Sequence, residues 1–266
     1  MNIGIDATNL KAGGGAKHII ELLKYAEPKK YGINKIVIWG QKNILDQILN
    51  ENYIEKIDAT PEINNLIKKI IWQFFTFDKK LITKKCDVLF VPGGSYLGSF
   101  RPFFTMSRNM LPFETREIFS YGFSKIALRL FILRFVQLIT FKRAAGLIFL
   151  SKFAKKKISN FLNIENSSNL IIPHGVNENK IRKDIKQESI KNFNHENPFK
   201  IVYLSTIEPY KHQWNVIEAI SNLIDEGFPL SLTLIGSAYK KSYRRMLKVK
   251  RVNDANENWC DYIGYL

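Results

Sequence analysis

The sequence predicts an α/β protein built from two parallel-sheet units, the second of them short. Three observations lead there. Brief apolar runs recur along the 266 residues, most of them apolar throughout rather than alternating, the pattern of strands covered on both faces. Amphipathic stretches with a 3.6-residue period separate these runs, which is the alternation of an α/β fold. A polar, charged stretch then interrupts the pattern between Gly175 and Pro198 before a new apolar run begins at Lys200, marking a domain boundary.

Taken in order, the strand candidates are Asn2–Asp6, Lys35–Trp39, Asp87–Val91, Phe103–Ser107, Gly146–Leu150 and Asn169–Ile172, then Lys200–Ser205, Leu230–Gly236 and Asp261–Tyr265. Ile19, Leu22, Leu23 and Ala26 outline one helix face, and Val216, Ile217, Ile220, Leu223 and Ile224 another, with Glu218, Ser221, Asn222 and Asp225 opposite. The expected organisation is a first domain over 1–175, a linker over 176–198 and a second domain over 199–266. The last has three strand signals where a doubly wound domain has five or six, so it reads as incomplete.

Composition narrows the function classes. The two cysteines, Cys86 and Cys260, form no CxxC pair, and the four histidines lie at no metal-ligand spacing; a disulfide framework and a zinc site are both unsupported. No basic leader precedes a long apolar stretch, and no run approaches the ~20 apolar residues of a spanning helix. The expected location is cytoplasmic. The formal net charge of +16 suggests an anionic partner: nucleic acid, an acidic membrane or a phosphorylated ligand. A coding bias towards Lys, Asn and Ile is the alternative source of that charge.

Lys11-Ala12-Gly13-Gly14-Gly15-Ala16-Lys17-His18 follows the first strand and opens the first helix. Glycines there let a ligand approach the backbone, and a helix N-terminus offers N–H groups to an anion. The loop is neither a Walker A motif nor a dinucleotide fingerprint, since His18 takes the place of the third glycine. In Ser205-Thr206-Ile207-Glu208-Pro209-Tyr210-Lys211, a lysine at the start of a helix opposes the helix dipole unless an anion lies between; a solvated surface lysine is the alternative. Ser107-Arg108-Asn109 places polar groups at the carboxyl end of a strand, where α/β folds bind ligands, although an ordinary loop has the same residues. Ile171-Ile172-Pro173-His174-Gly175-Val176 reads as a strand and a turn. From Ile118 to Ile164 there are nine Lys or Arg, no Asp or Glu, and many aromatic and aliphatic side chains. That composition suits a cationic helix on an anionic leaflet, or a core helix with snorkelling arginines. Nucleic acid is not expected there, because the aromatics are mixed with bulky aliphatics.

In this order the motifs resemble the family 4 glycosyltransferases, along essentially the whole chain. Gly13-Gly14-Gly15 resembles that family's glycine loop. Ser151-Lys152-Phe153-Ala154 is similar to its segment leading into a helix, and Ile172-Pro173-His174-Gly175-Val176-Asn177 to its motif before the linker. Val202 to Lys211 resembles the segment opening the second domain, with Leu232–Gly236 and Tyr262–Leu266 as its next strands. The resemblance implies a GT-B fold of two Rossmann-like domains with parallel sheets, the second incomplete through C-terminal truncation. It also implies a hexosyltransferase that retains configuration, takes a nucleotide diphosphate sugar as donor, and uses no bound metal or other cofactor. Carried over, Lys211 would grip the donor diphosphate with Thr206 and Gly236 beside it, Gly14 and Gly15 would line the phosphates, and Arg108 with Asn109 would take the catalytic place of the family's histidine. The chain departs from the family at Thr206, where an arginine is expected, and at Arg108. Glu218 with Glu226, and Glu188 with Glu196, have the family's E-x7-E spacing but not its context.

The expected function is transfer of a hexose, mannose being one candidate, to a lipid-linked or polysaccharide acceptor in the synthesis of bacterial surface glycans such as lipopolysaccharide. The protein would work on the inner face of the cytoplasmic membrane, touching the anionic surface through 118–164 as a peripheral protein. The alternatives are a catalytically silent form that binds acceptor or membrane, a sugar-nucleotide epimerase, and a basic nucleic-acid-binding protein.

Overall fold

The computed structural model describes residues 1–10, 13–62, 66–162, 169–176, 186–254 and 258–265. Lys11 and Ala12 of the glycine loop, and residues 177–185 of the expected linker, lie outside that set. The chain divides into two compact units: Met1–Ile118 with Gly122–Val176, and Phe119–Tyr121 with Asn177–Leu266.

The first unit is a seven-stranded parallel sheet. Its strands are β1 (Asn2–Asp6), β2 (Lys35–Gly40), β3 (Ile54–Asp58), β4 (Val88–Val91), β5 (Phe103–Ser107), β6 (Gly146–Phe149) and β7 (Leu170–Ile171). The order is β3-β2-β1-β4-β5-β6-β7, the doubly wound pattern whose strand order reverses between β1 and β4. Side-chain alternation explains why the strands are apolar on both faces. Val37 and Trp39 of β2 enter one core with Phe77, Leu81, Tyr96 and Phe103, while Ile36 and Ile38 enter the other with Ile5, Ile19, Leu23 and Ile44.

β3 was not among the strand candidates. Its sequence, Ile54-Glu55-Lys56-Ile57-Asp58, is charged and only half-buried, as befits an edge that must resist further pairing. Helix α1 (Gly14–Lys24) buries Ala16, Ile19 and Leu23, but Leu22, expected on that face, is exposed. Helices α2 (Lys42–Leu45), α3 (Leu66–Trp72), α4 (Asp78–Thr83) and α5 (Thr115–Ser120) are short. The long α6 (Lys125–Arg143) is capped by Ser124, whose hydroxyl accepts from the Ala127 amide at 3.2 Å. In the same way Ser151 caps α7 (Lys152–Leu162), accepting from Ala154 N at 3.1 Å, the local reason a helix begins there.

The second unit has three parallel strands, β8 (Phe199–Leu204), β9 (Leu230–Ile235) and β10 (Cys260–Gly264), in the order β10-β9-β8. Helices α8 (Gln213–Asp225) and α9 (Lys240–Asn253) accompany them. Ile217, Ile220, Leu232, Leu234, Met246 and Trp259 form its core. Here the reading of strands covered on both faces is corrected. Phe199, Ile201 and Tyr203 pack into the core, but Val202 and Leu204, on the other face of β8, are exposed, as is Ile263 of β10. The α8 face is corrected too: Ser221, placed on the polar side, is buried, and Leu223 is exposed.

Candidate functional site

Ligands of doubly wound folds bind at the carboxyl ends of the strands, where the order reverses. In the first unit that edge is organised by Asp6 at the end of β1. Its buried carboxylate accepts from the amide and hydroxyl of Thr8 and from Gln73 Nε2 at 2.9 Å. The turn after β1 then lies against the turn after β4: Asn9 Nδ2 donates to Ser95 O at 3.2 Å, and a Cβ on Gly93 would lie 2.6 Å from that of Asn9.

The glycine run becomes the start of α1. Gly13 is its N-cap at φ 73°, no acidic residue occupies the first turn, and Gly13 and Gly14 face open space. Gly15 does not: a Cβ there would overlap the Arg108 guanidinium, 3.0 Å from its Cζ. The structure therefore brings Gly15 and Arg108, from two distant motifs, into one corner. Arg108 is largely withdrawn from solvent, and burial holds its pKa below the usual arginine value. Among the described residues its Nε has no partner and no carboxylate pairs with it.

Two residues that the sequence reading left aside complete the corner. His18, one turn into α1, has its Nδ1 3.1 Å from Nδ1 of His174. Two imidazoles share a hydrogen bond in that way only if one nitrogen carries a proton and the other does not. Burial first, then the charges of His174 and Arg108, lower the His18 pKa. His18 Nε2 and the hydroxyl of Ser107, which ends β5, are also buried without partners among the described residues. Unsatisfied buried polar groups are costly, and here His18 Nε2 and Arg108 Nε belong to residues that meet at the start of α1. The arrangement suits an oxyanion. His18 was legible only as the residue displacing the third glycine; His174 was hidden in what reads as a turn. Asn109 stands apart from this group. It is exposed, and its Oδ1 accepts from Leu111 N at 3.0 Å, starting the turn Leu111–Phe113.

In the second unit Thr206, Lys211 and Gly236 follow the carboxyl ends of β8 and β9. Gly236 has φ 143°, and a Cβ on it would collide with the carbonyl of Ser205 and lie 3.1 Å from Thr206 N. Its amide donates to Gly264 O at 2.7 Å, and its carbonyl accepts from Tyr262 Oη at 2.8 Å. The loops after β8 and β9 are joined by Ile207 N to Ser237 O at 2.8 Å and Tyr239 N to Ile207 O at 2.9 Å. Thr206 is exposed, and its carbonyl accepts from Gln213 Nε2 at 2.8 Å.

Lys211 directly precedes His212, the N-cap of α8. It closes the turn Pro209–Lys211, and α8 begins two residues later, after His212 at φ 52°. Its carbonyl accepts from Tyr203 Oη at 2.7 Å, and its Nζ lies 4.9 Å from the centre of the Tyr210 ring. Among the described residues no carboxylate pairs with it. No group of three or more His, Cys, Asp or Glu suited to a metal occurs among the described residues. No described helix is long and apolar enough to cross a membrane.

No protein-family model matches the chain, and no curated protein sequence matches it. Solved structures do. A glycosyltransferase from Rickettsia africae superposes with a TM-score of 0.60 at 16% identity, over 100% of this chain and 68% of that one. Anabaena HepE, solved with UDP and glucose, gives 0.58 at 15% identity over 100% and 69%. The trehalose-6-phosphate synthase OtsA gives 0.58 at 13% identity over 99% and 74%. At such identities the likeness carries the architecture: two parallel-sheet Rossmann-like units of the GT-B type.

Proposed function

We propose that this protein transfers a hexose from a nucleotide diphosphate sugar, with retention of configuration, to a lipid-linked or polysaccharide acceptor in surface-glycan synthesis. The observation that carries this reading is the corner of the first unit, where Arg108, unpaired with any carboxylate among the described residues, meets Gly15 at the N-terminus of α1. A buried cation beside free helix N–H groups favours an oxyanion, and a sugar nucleotide brings two phosphates. The GT-B architecture supports the same donor, since one of the similar structures holds UDP and glucose.

The reaction breaks the bond from the anomeric carbon to the diphosphate oxygen, which leaves with the electron pair. A bond forms from that carbon to an acceptor hydroxyl, whose proton passes to the departing phosphate. Negative charge grows on the diphosphate, and preorganised cations are most effective where charge develops. In this reading the positive charge that stands in place of a metal comes from Arg108 in the first unit, where Gly14 leaves room for the phosphates, or from Lys211 in the second. Thr206 and Gly236 bring backbone close to the donor, and the Asn109 amide nitrogen meets the sugar.

Thermal-shift titration with UDP, GDP and their sugar conjugates tests the reading. Stabilisation should grow with ligand concentration, by about 2.7 kcal/mol at a hundred times Kd, and transfer should follow with the donor that binds. No shift with any nucleotide would sink the donor assignment; nucleotide release without transfer would point to an epimerase. Lys211→Ala should weaken the productive donor about tenfold, the loss of one charge-assisted contact, while leaving the melting temperature in place. Unchanged affinity would remove Lys211 from the site.

A further inference from the structure

Helix α6 is apolar on two opposite sides. One side is the core: Ala127, Leu130, Gln137, Thr140 and Phe141 are buried, and the Thr140 hydroxyl accepts from Tyr96 N at 3.0 Å, pinning the helix. Its exposed residues are Lys125, Leu128, Arg129, Ile132, Phe135, Ile139 and Lys142. Leu128, Ile132, Phe135 and Ile139 are 62%, 52%, 64% and 48% exposed. At 100° per residue, their spacing of four, three and four places all of them within an arc of about 60°. Phe123, just before the helix, is fully exposed. Four bulky apolar side chains sharing one exposed arc make a patch of the kind that marks an interaction surface, so this outer stripe is built to be covered.

The charges say by what. Every charged residue on the exposed side of α6 is a cation: Lys125, Arg129 and Lys142. Arg134 lies elsewhere, donating to Pro112 O and to Thr115 Oγ1. No Asp or Glu occurs between Ile118 and Ile164. A second copy packed two-fold on this stripe would set these cations against their own counterparts with no acidic group in the stripe to offset them. Crossing a bilayer is ruled out for α6, because its inner side packs on the core and no described helix is long and apolar enough to span. An apolar ridge bordered by cations alone matches a surface that is apolar below and anionic above.

We infer that the outer face of α6, with Phe123 at its start, lies in the headgroup region of an anionic lipid bilayer. Leu128, Ile132, Phe135 and Ile139 would enter the acyl boundary, with Lys125, Arg129 and Lys142 on the headgroup phosphates. This surface is separate from the donor site: it needs no nucleotide, and its failure would leave the proposed transfer untouched.

Flotation of the full chain with vesicles of phosphatidylcholine, with and without phosphatidylglycerol, tests it. Binding should require the anionic lipid, weaken as salt rises, and fall roughly tenfold or more when Ile132→Gln and Phe135→Gln are combined. Leu204→Gln, which removes an exposed apolar side chain of the second unit, should leave binding unchanged. Should the double variant fold poorly, Phe123→Trp in the intact helix reports directly, because its emission should shift to the blue on anionic vesicles. No vesicle binding, equal binding to neutral vesicles, or loss through Leu204→Gln alone would overturn the inference. So would a dimer in sedimentation velocity that Ile132→Gln and Phe135→Gln dissolve.

Discussion

Gly15 and Gly236 belong to different units, Gly15 in the first turn of the helix that follows β1 and Gly236 directly after β9, and sequence reasoning assigns both to phosphate. Their surroundings differ in kind. Gly15 has an ordinary helical backbone and lies against the tip of a flexible arginine; Gly236 has φ 143° and lies against the backbone carbonyl of Ser205. A long side chain can swing aside, whereas a backbone tied into loop pairing cannot. Absence of a side chain at Gly15 therefore leaves room for Arg108, whereas at Gly236 the fold itself requires it, whatever donor contact its backbone makes. The sharpest test is Gly236→Ala. It forces a side chain into a left-handed conformation and into the Ser205 carbonyl, so it should cost on the order of 3 kcal/mol and lower the melting temperature by several degrees. A melting curve unchanged by Gly236→Ala would erase the distinction.

Gly15→Ala probes the other half of the comparison. Alanine suits a helix better than glycine by up to about 1 kcal/mol, so the fold should hold once Arg108 moves away from the new methyl. Affinity for the nucleotide diphosphate sugar should fall about ten- to a hundredfold, because a charge-assisted contact of roughly 1.5–3 kcal/mol is displaced. Calorimetric titration beside a melting curve separates the outcomes. A loss of stability with intact affinity would make Gly15 a packing glycine like Gly236.

These glycines also mark how far the sequence could be read. The inner strands of the first unit were legible because burial on both faces leaves an unbroken apolar run such as Lys35–Trp39, whereas the apolar run at β7 misstated its cover, since Leu170 and Ile171 are exposed. Ile54–Asp58 was not, because an edge strand carries charge. In the second unit the apolar run of β8 predicted two covered faces, yet Val202 and Leu204 are exposed: composition reports what a strand could bury, not what lies over it. For the site, the glycine run and Arg108 could each be singled out from position after a strand. Their meeting could not, nor could the contact of His18 with His174, 156 residues away. Such contacts follow from strand order, and the order β1-β4-β5 is not written in any local pattern. Lys211 is the converse case. The helix starts where the sequence places it, with His212 as the N-cap of α8, but the left-handed backbone at His212 that sets Lys211 in the preceding turn has no local signature.

The smallest effect sharpens the account of the Arg108 corner through pH. His18 has a pKa below its ordinary value of 6.5, chiefly from burial and then from the charges of His174 and Arg108. The folded protein thus binds fewer protons there than the unfolded chain. The associated stability is fully present above about pH 6.5 and is lost as pH falls through the lowered value. His18→Gln should flatten that part of the pH–stability profile, with a difference in slope of at most one proton. An oxyanion seated against Arg108 would offset the cationic field and raise the His18 pKa, so binding should draw in a proton and tighten as pH falls below 6.5. In the Gln variant both the proton uptake and this pH dependence should disappear, measured as the buffer-dependent part of the binding enthalpy. If wild-type and variant take up the same number of protons on binding, the ligand does not sit against Arg108, and the phosphates belong to the Lys211 group of the second unit.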